Sequence, residues 1–370
     1  MGAVTKALRV LILPGDGIGP EVVAVGEKVL LNVGQKFALD LEVAHGEIGQ
    51  GCVLRHGVPL TEETLQKALE SDGVLLGAVG GSDPGSQSYA VRPEAGLLAI
   101  RKGMGLYANL RPVRLMGALV AASPLKASVV EGVDLLVVRE LLGDVYFGEP
   151  RGRRKNRKRE EYAYNTMRYS RSEIERVARV AFQMARQRKG RVVSVDKANV
   201  LETGLFWREV VTRVQEEFPD VHLSHQYVDN CAMQLIRDPR QFDVILTSNL
   251  FGDILSDEAS VLAGSIGMLP SASLGLRGAL FEPVHGSAPD IAGRDVANPL
   301  ATVLSVALMF RYAFGRPEAG SLIERAVEQV LQEGYRTADI YAEGTRRVGT
   351  REMGEEVLAK VEELFCSGPA

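Results

Sequence analysis

Residues 13–23 read LPGDGIGPEVV. An apolar run, Leu8–Leu13, ends here as an expected strand. Gly15 and Gly17 then turn the chain, and Pro20 opens a helix. A strand, a glycine-rich turn and a helix in that order suggest a dinucleotide-binding fingerprint. The spacing refuses it. After Gly15 and Gly17 the third glycine of a GxGxxG pattern would fall on Pro20. No acidic residue closes a strand about twenty residues on either. The segment starts as a Rossmann unit does, yet it does not specify one.

Working outward, further strands are expected at Gly73–Leu76, Leu135–Val138, Val192–Val195 and Val244–Thr247. Helical periodicity covers 20–33, 61–70, 172–188, 203–218, 250–262, 299–313 and 321–333. Short β-branched strands alternating with helices predict an α/β protein with a largely parallel sheet. A length of 370 residues suggests two domains. Two uncharged runs raise the question of a membrane. ASVLAGSIGMLPSASLGL at 259–276 is rich in Gly, Ser and Pro, so a helix end followed by loop is expected. ANPLATVLSVALMF at 297–310 is too short to span. With Asn298 as N-cap and Pro299 at N1 it reads as a buried core helix.

Composition excludes several classes. The chain is 46% hydrophobic and 24% charged with a net charge of −4, which predicts a soluble protein without a general affinity for nucleic acid. Cys52, Cys231 and Cys366 lie far apart with no CxxC pair, so neither a disulfide framework nor a zinc site is indicated. A reducing compartment is expected, and the opening residues MGAVTKALRV carry no signal-peptide core, so a cytoplasmic location is expected. RGRRKNRKRE at 151–160 holds seven positive charges between Arg151 and Arg159. It lacks interleaved aromatics, and a solvated excursion between two elements is expected rather than a nucleic-acid patch.

The strongest local signal is NLFGDILSDEAS at 249–260. Asp253 and Asp257 stand at i and i+4 on one helix face. They are either a solvated acidic face or two hard ligands for Mg²⁺ or Mn²⁺. Phe251, Ile254, Leu255 and Val261 argue that the helix is substantially buried. Arg101, Arg111 and Arg139 form a basic counterpart, Arg139 closing the apolar strand LLVVREL. Each reads as an internal salt bridge or as a clamp on a carboxylate. Lys197 follows an apolar strand in SVDKANV, as a surface lysine or as a base with lowered pKa. Tyr146 in GDVYFGEPRG is a core aromatic or a proton donor. Gly286, Ser287 and Ala288 allow close backbone approach to a ligand, and Asp290 could accept bonds from ribose hydroxyls or simply sit in a turn after Pro289.

In order along the chain, GDGIGPEV, RPEAGLLAIRKGMGLYANLRP, VVRELLGDVYFGEPRG, SVDKANVLETG, YVDNCAMQLI, NLFGDILSDEAS and EPVHGSAPDIAG…ANP resemble the 3-isopropylmalate dehydrogenase family, within the isocitrate/isopropylmalate β-decarboxylating dehydrogenases. The resemblance implies two α/β domains sharing a large mixed sheet, not a Rossmann fold. It puts 1–106 with 265–370 on the cofactor side, and 107–264 in a second domain that carries the metal ligands, the dimer interface and an arm near 150–165. It implies catalytic roles for Lys197 and Tyr146. Arg101, Arg111, Arg139 and Asp229 would bind substrate, and Asp229, Asp253 and Asp257 the metal. Glu94, Leu97 and Leu98 would face the γ-substituent, two leucines favouring an isopropyl group over a third carboxylate. Ile18, Gly80, Gly81, Glu282, His285, Gly286, Ser287, Ala288, Pro289, Asp290, Ile291 and Asn298 would contact NAD.

The implied activity is NAD-dependent oxidative decarboxylation of (2R,3S)-3-isopropylmalate to 2-oxoisocaproate and CO₂, a step of leucine biosynthesis. Mg²⁺ or Mn²⁺ would assist, and the resemblance admits a monovalent cation such as K⁺. Lys197 would take the 2-hydroxyl proton and Tyr146 would protonate the enolate left by CO₂ loss. A homodimer with shared active sites is implied, Lys197 and Asp229 serving the partner's site. The alternatives are sibling activities on isocitrate, homoisocitrate or tartrate/malate, and a non-redox carboxylate lyase. Leu142 in VVREL-x-GD and the basic arm depart from the family pattern.

Overall fold

The computed structural model describes residues 7–81, 91–276 and 278–367. Its strands are β1 (Leu8–Gly15), β2 (Leu41–His45), β3 (Gly73–Ala78), β4 (Leu106–Arg114), β5 (Asp134–Glu140), β6 (Gly152–Lys155), β7 (Glu161–Tyr164), β8 (Arg191–Asp196), β9 (His222–Tyr227), β10 (Val244–Thr247), β11 (Pro270–Gly275), β12 (Ala279–Pro283), β13 (Tyr335–Arg336) and β14 (Arg346–Arg347). Its helices are α1 (Gly19–Lys36), α2 (Gln50–His56), α3 (Glu62–Glu70), α4 (Pro93–Gly103), α5 (Ala127–Val130), α6 (Asp144–Phe147), α7 (Arg171–Arg186), α8 (Glu202–Gln215), α9 (Val228–Arg237), α10 (Asn249–Ser260), α11 (Leu300–Tyr312), α12 (Pro317–Gln332) and α13 (Thr350–Cys366).

Two compact units emerge. The first comprises Met1–Leu106, Leu115–Ala127 and Ser260–Ala370. Its strands run β2-β1-β3-β12-β11, all parallel neighbours except the antiparallel pair β12–β11. Leu11, Ile12, Leu13, Leu75, Leu76 and Phe281 are fully buried, as strands covered on both faces require. α11 is buried at every residue from Leu300 to Phe310 and packs against α1 and α12. The core helix expected at 299–313 is therefore present. Its cap is displaced by one residue: Pro299 is the N-cap, and Asn298 Oδ1 accepts from Leu300 N at 3.0 Å from one position further back.

The second unit comprises Tyr107–Arg114 and Ser128–Ala259. Its order is β4-β5-β10-β8-β9, with β4 antiparallel to β5 and the rest parallel. α7 starts in a capping box between Ser170 and Glu173 and packs against α8 and the strands. The basic stretch runs into a hairpin of β6 and β7, its charges from Arg153 to Arg159 exposed, Arg151 half-buried, and Lys155 paired with Glu161 at 3.1 Å.

Three expectations are corrected. The loop expected after residue 262 is instead β11, whose Pro-Ser-Ala-Ser residues are buried: small side chains let a strand run where large ones would not fit. Leu115–Ala127 and 260–264 fall in the first unit, held there by Arg336 Nη2 donating to Ala118 O (2.7 Å) and by Ser123 Oγ donating to Val261 O (3.4 Å). α10 is buried on one face only. Gly252, Leu255, Ser256 and Ala259 are buried, whereas Ile254 on the opposite side is exposed, as is Val261 just past the helix end.

The turn at 15–19 is set by backbone crowding. Gly17 has φ +57°, and any Cβ there would overlap Ser287 O. Asp16 N donates to Ala78 O at 2.7 Å and Ile18 N to Ser287 O at 2.8 Å, so the turn is seated on two other segments of its unit. Gly17→Ala is expected to cost about 2 kcal/mol or more, read as a lower denaturant midpoint at unchanged m-value.

Candidate active site

In the second unit the expected arginines and aspartates find one another. β4 delivers Arg111 and β5 delivers Arg139, both guanidiniums buried, and α10 carries Asp253 and Asp257 opposite them. Arg139 Nη1 is paired with Asp253 Oδ1, while its Nε and Nη2 donate to Asn249 Oδ1 at 3.0 and 2.8 Å. Arg111 Nη1 donates to Ser256 Oγ (2.7 Å) and Asp257 Oδ1 (3.3 Å), and its Nη2 lies 3.6 Å from Asp253 Oδ1. Two carboxylates one turn apart would repel each other, and the two guanidiniums between and beside them relieve that. The salt-bridge and carboxylate-clamp readings of these arginines are thus not exclusive. Burial raises the Asp257 carboxyl despite Arg111 beside it.

Tyr146 stands at the same carboxylate. Its hydroxyl donates to Asp253 Oδ2 at 2.7 Å, and the Arg139 guanidinium lies 5.5 Å from its ring centre. Burial first, then the bond to Asp253, push its phenol up to about 12. It is therefore a neutral phenol at physiological pH.

Lys197 and Asp229 form a separate pair in this unit. Lys197 follows β8, whose end is fixed by Arg208 holding the Asp196 carboxylate through two 2.9 Å bonds. A Cβ on Gly204 would crowd the Lys197 backbone, so the first turn of α8 packs against Lys197 through a glycine. Lys197 Nζ donates to Asp229 Oδ1 at 2.9 Å, and that bond holds the Asp229 carboxyl below its usual range. Asp229 is not brought to Asp253 and Asp257. Among the described residues no group of three His, Cys, Asp or Glu side chains is placed to hold a metal.

The first unit gathers the expected cofactor contacts. Ile18, Val22 and Ala297 make a small core against which Ala288 and Ile291 pack. A Cβ on Gly80 would lie 2.9 Å from Ser287 Oγ, and Gly80 N donates to Asp16 Oδ2 at 3.1 Å. Asn298 Nδ2 donates to Asp339 at 3.0 Å. Gly286, Pro289 and Asp290 are exposed. Burial lowers the His285 ring pKa, and its Nε2 is buried without a hydrogen-bond partner. An unsatisfied buried ring nitrogen beside a glycine with open space around it is a polar contact available to a bound ligand.

Glu282 is ion-paired with Arg101 at 2.5 Å, with both side chains buried. On α4 the spacing of Glu94, Leu97, Leu98 and Arg101 lines one helical stripe, with the leucines half-buried. Sequence reading missed Asn109, Asn249 and Ser256, which saturate the arginines, and Asp196, Glu140 and Asp144, which shape strand ends. Their one signal is a polar residue at the edge of an apolar run.

The family profile for isocitrate/isopropylmalate dehydrogenase matches residues 9–357. A 3-isopropylmalate dehydrogenase of Pseudomonas putida is 56% identical over 357 residues, covering 96% of this chain and 99% of that protein. One from Aquifex aeolicus is 53% identical, with 97% and 98% covered. Among solved structures, isocitrate dehydrogenase from Methylococcus capsulatus superposes with a TM-score of 0.85 at 33% identity, covering 96% of this chain and 99% of that one. The interlocked carboxylates and guanidiniums thus sit on a shared architecture, and the chain belongs to the isocitrate/isopropylmalate dehydrogenase family.

Proposed function

We propose that the protein oxidises and decarboxylates (2R,3S)-3-isopropylmalate to 2-oxoisocaproate and CO₂ with NAD, in leucine biosynthesis and in the cytoplasm. The observation that carries the substrate is Leu97 and Leu98, half-buried beside Arg101 on α4: an apolar patch next to a cation suits an alkyl-bearing dicarboxylate. Neither leucine side chain offers a donor to a third carboxylate such as that of isocitrate. The three unpaired cysteines suit a reducing compartment.

Arg111 and Arg139 would trade part of their bonding to Asp253 and Asp257 for the substrate's carboxylates, a cost-balanced exchange of one carboxylate for another. Lys197 Nζ would accept the 2-hydroxyl proton, with Asp229 orienting it. Tyr146, protonated at neutral pH, would deliver its proton to the enolate carbon. Asp253, Asp257 and Asp229 would hold Mg²⁺ or Mn²⁺, hard oxygen donors for a hard cation, which when bound supplies positive charge at the 2-hydroxyl and the enolate oxygen. NAD, when bound, supplies the hydride acceptor. Ile18, Ser287, Ile291 and Asn298 would line its seat, and Asp290 would take the ribose hydroxyls.

A homodimer completes the reading. Asp229, Met233 and Ile236 stand at i, i+4 and i+7 on α9, one face carrying a proposed metal ligand and two exposed apolar side chains. Leu205 on α8 and Ile254 on α10 are exposed as well. A second copy that buried these side chains would bring Lys197 and Asp229 to the partner's Asp253 and Asp257, and the exchange would be reciprocal about a two-fold axis.

With 3-isopropylmalate, Mn²⁺ and NAD, absorbance at the NADH maximum should rise as CO₂ is released. NADP should serve poorly, because Asp290 would repel a 2′-phosphate. No reduced cofactor with product formed would leave a lyase instead, and an NADP kcat/KM equal to that of NAD would refute the cofactor assignment. Replacing Leu97→Ala and Leu98→Ala together should lower the isopropylmalate-to-malate ratio of kcat/KM by about tenfold or more, as each lost apolar contact is worth ~1–3 kcal/mol. An unchanged ratio would remove these residues from the pocket. Finally, Lys197→Ala and Arg139→Ala, unfolded together in equal amounts and refolded, should regain about a quarter of wild-type activity. About half the dimers are then mixed and each has one intact site. Residual activity no higher than that of the parents would show that both residues serve one subunit's site.

A further inference from the structure

The short turn between β5 and α6 is held by a residue with no role in the chemistry above. Asp144 is fully buried and has φ +69°, a backbone that side-chain-bearing residues rarely adopt. Its carboxylate is saturated by groups from both sides of the site. Oδ1 accepts from Val145 N at 2.7 Å. Oδ2 accepts from Leu250 N, in the first turn of α10, at 3.1 Å, and from the Tyr169 hydroxyl at 3.4 Å. That hydroxyl in turn accepts from Asn249 N at 2.9 Å. Asn249 Nδ2 donates back to Gly143 O at 3.2 Å, and its Oδ1 takes two bonds from Arg139. Gly148 N closes the turn on Asp144 O at 2.9 Å.

The first two amides of α10 therefore have no free choice of partner. They are capped by Asp144 and Tyr169, and the turn that Asp144 governs is the one that carries Tyr146. We infer that Asp144 is a positioning residue for the reaction proposed above: it pins the Tyr146 turn to the start of the helix bearing Asp253, and so sets the 2.7 Å contact between the Tyr146 hydroxyl and Asp253 Oδ2. The inference rests on Tyr146 being the proton donor. The proton it hands over travels a distance fixed by this clamp, and a shift of about 1 Å there costs up to ~100-fold in rate.

Two variants separate positioning from simple stability. Asp144→Gly accepts the φ angle without strain but removes both acceptors. Asp144→Asn keeps one oxygen acceptor. In the full-length protein, Asp144→Gly should speed amide hydrogen exchange at Val145 and Leu250 at least tenfold. It should lower kcat for 3-isopropylmalate by ~10- to 100-fold with KM within about threefold. Asp144→Asn should recover most of that loss. In a Tyr146→Phe background, Asp144→Gly should change kcat by less than about twofold, because the group it positions is gone. Unchanged exchange at Leu250 overturns the inference, as does a kcat loss that persists in full beside Tyr146→Phe, since a purely structural role would be additive. If the glycine variant does not fold, Asp144→Asn carries the exchange test: its NH2 replaces the acceptor of either Val145 N or Leu250 N, so exchange at one of them should rise, and unchanged exchange at both overturns the inference. If wild-type protein fails to oxidise 3-isopropylmalate, the reading of function falls, and exchange at Val145 and Leu250 alone decides whether the clamp exists.

Discussion

A guanidinium buried at the end of an apolar strand must have every donor answered, and Arg139 at the end of β5 is the constraint around which the second unit is arranged. Asn249 answers two of its donors and Asp253 a third. Both residues lie on α10, so satisfying one arginine fixes where that helix begins and how it is rotated. Gly252 is the corollary: a Cβ there would lie 2.7 Å from Arg139 Cγ, so the helix can approach the strand closely only through glycine. Once α10 is placed, Asp257 and Ser256 fall where Arg111 needs them, and Tyr146 reaches the remaining oxygen of Asp253.

The arrangement is chemically poised because its charges are matched rather than neutralised out of reach. Arg111 and Arg139 are buried, whereas Asp253 and Asp257 keep 34% and 57% of their side-chain surface in solvent. A dicarboxylate or a cation can therefore replace one partner of a pair without exposing a bare buried charge. Lys197 and Asp229 repeat the pattern, whereas Arg101 and Glu282 in the first unit are both buried. Each proposed carboxylate-binding arginine and each proposed metal ligand is already half of an ion pair. Binding is then an exchange of partners, which is less costly than creating a new desolvated charge.

How much of this could be read in advance varies by residue. The spacing of Asp253 and Asp257 determined that they share a helix face, and the apolar run before Arg139 determined that its guanidinium would be buried. The failed GxGxxG pattern in LPGDGIGPEVV determined that the first turn is not a Rossmann turn, and the strands and helices that the sequence reading named fall within a few residues of their observed bounds, whereas β2, β4, β9 and α13 were not named. These are local facts: each depends on residues within about two turns or one strand of one another.

Tertiary structure alone decided the rest. Nothing local says that Asp144 would bond to Leu250, or that Gly17 would sit on Ser287, because those partners are over a hundred residues away and meet only when strands and helices are stacked. PSASL at 270–274 looked like loop because small polar residues carry no periodicity. It became β11 because β12 offered an antiparallel partner and the surrounding core left room only for small side chains. Asn249 and Ser256 were invisible for the same reason. A polar residue on a helix is read as solvated until something buried needs its oxygen, and here a strand-end arginine, itself legible in the sequence, was what needed it.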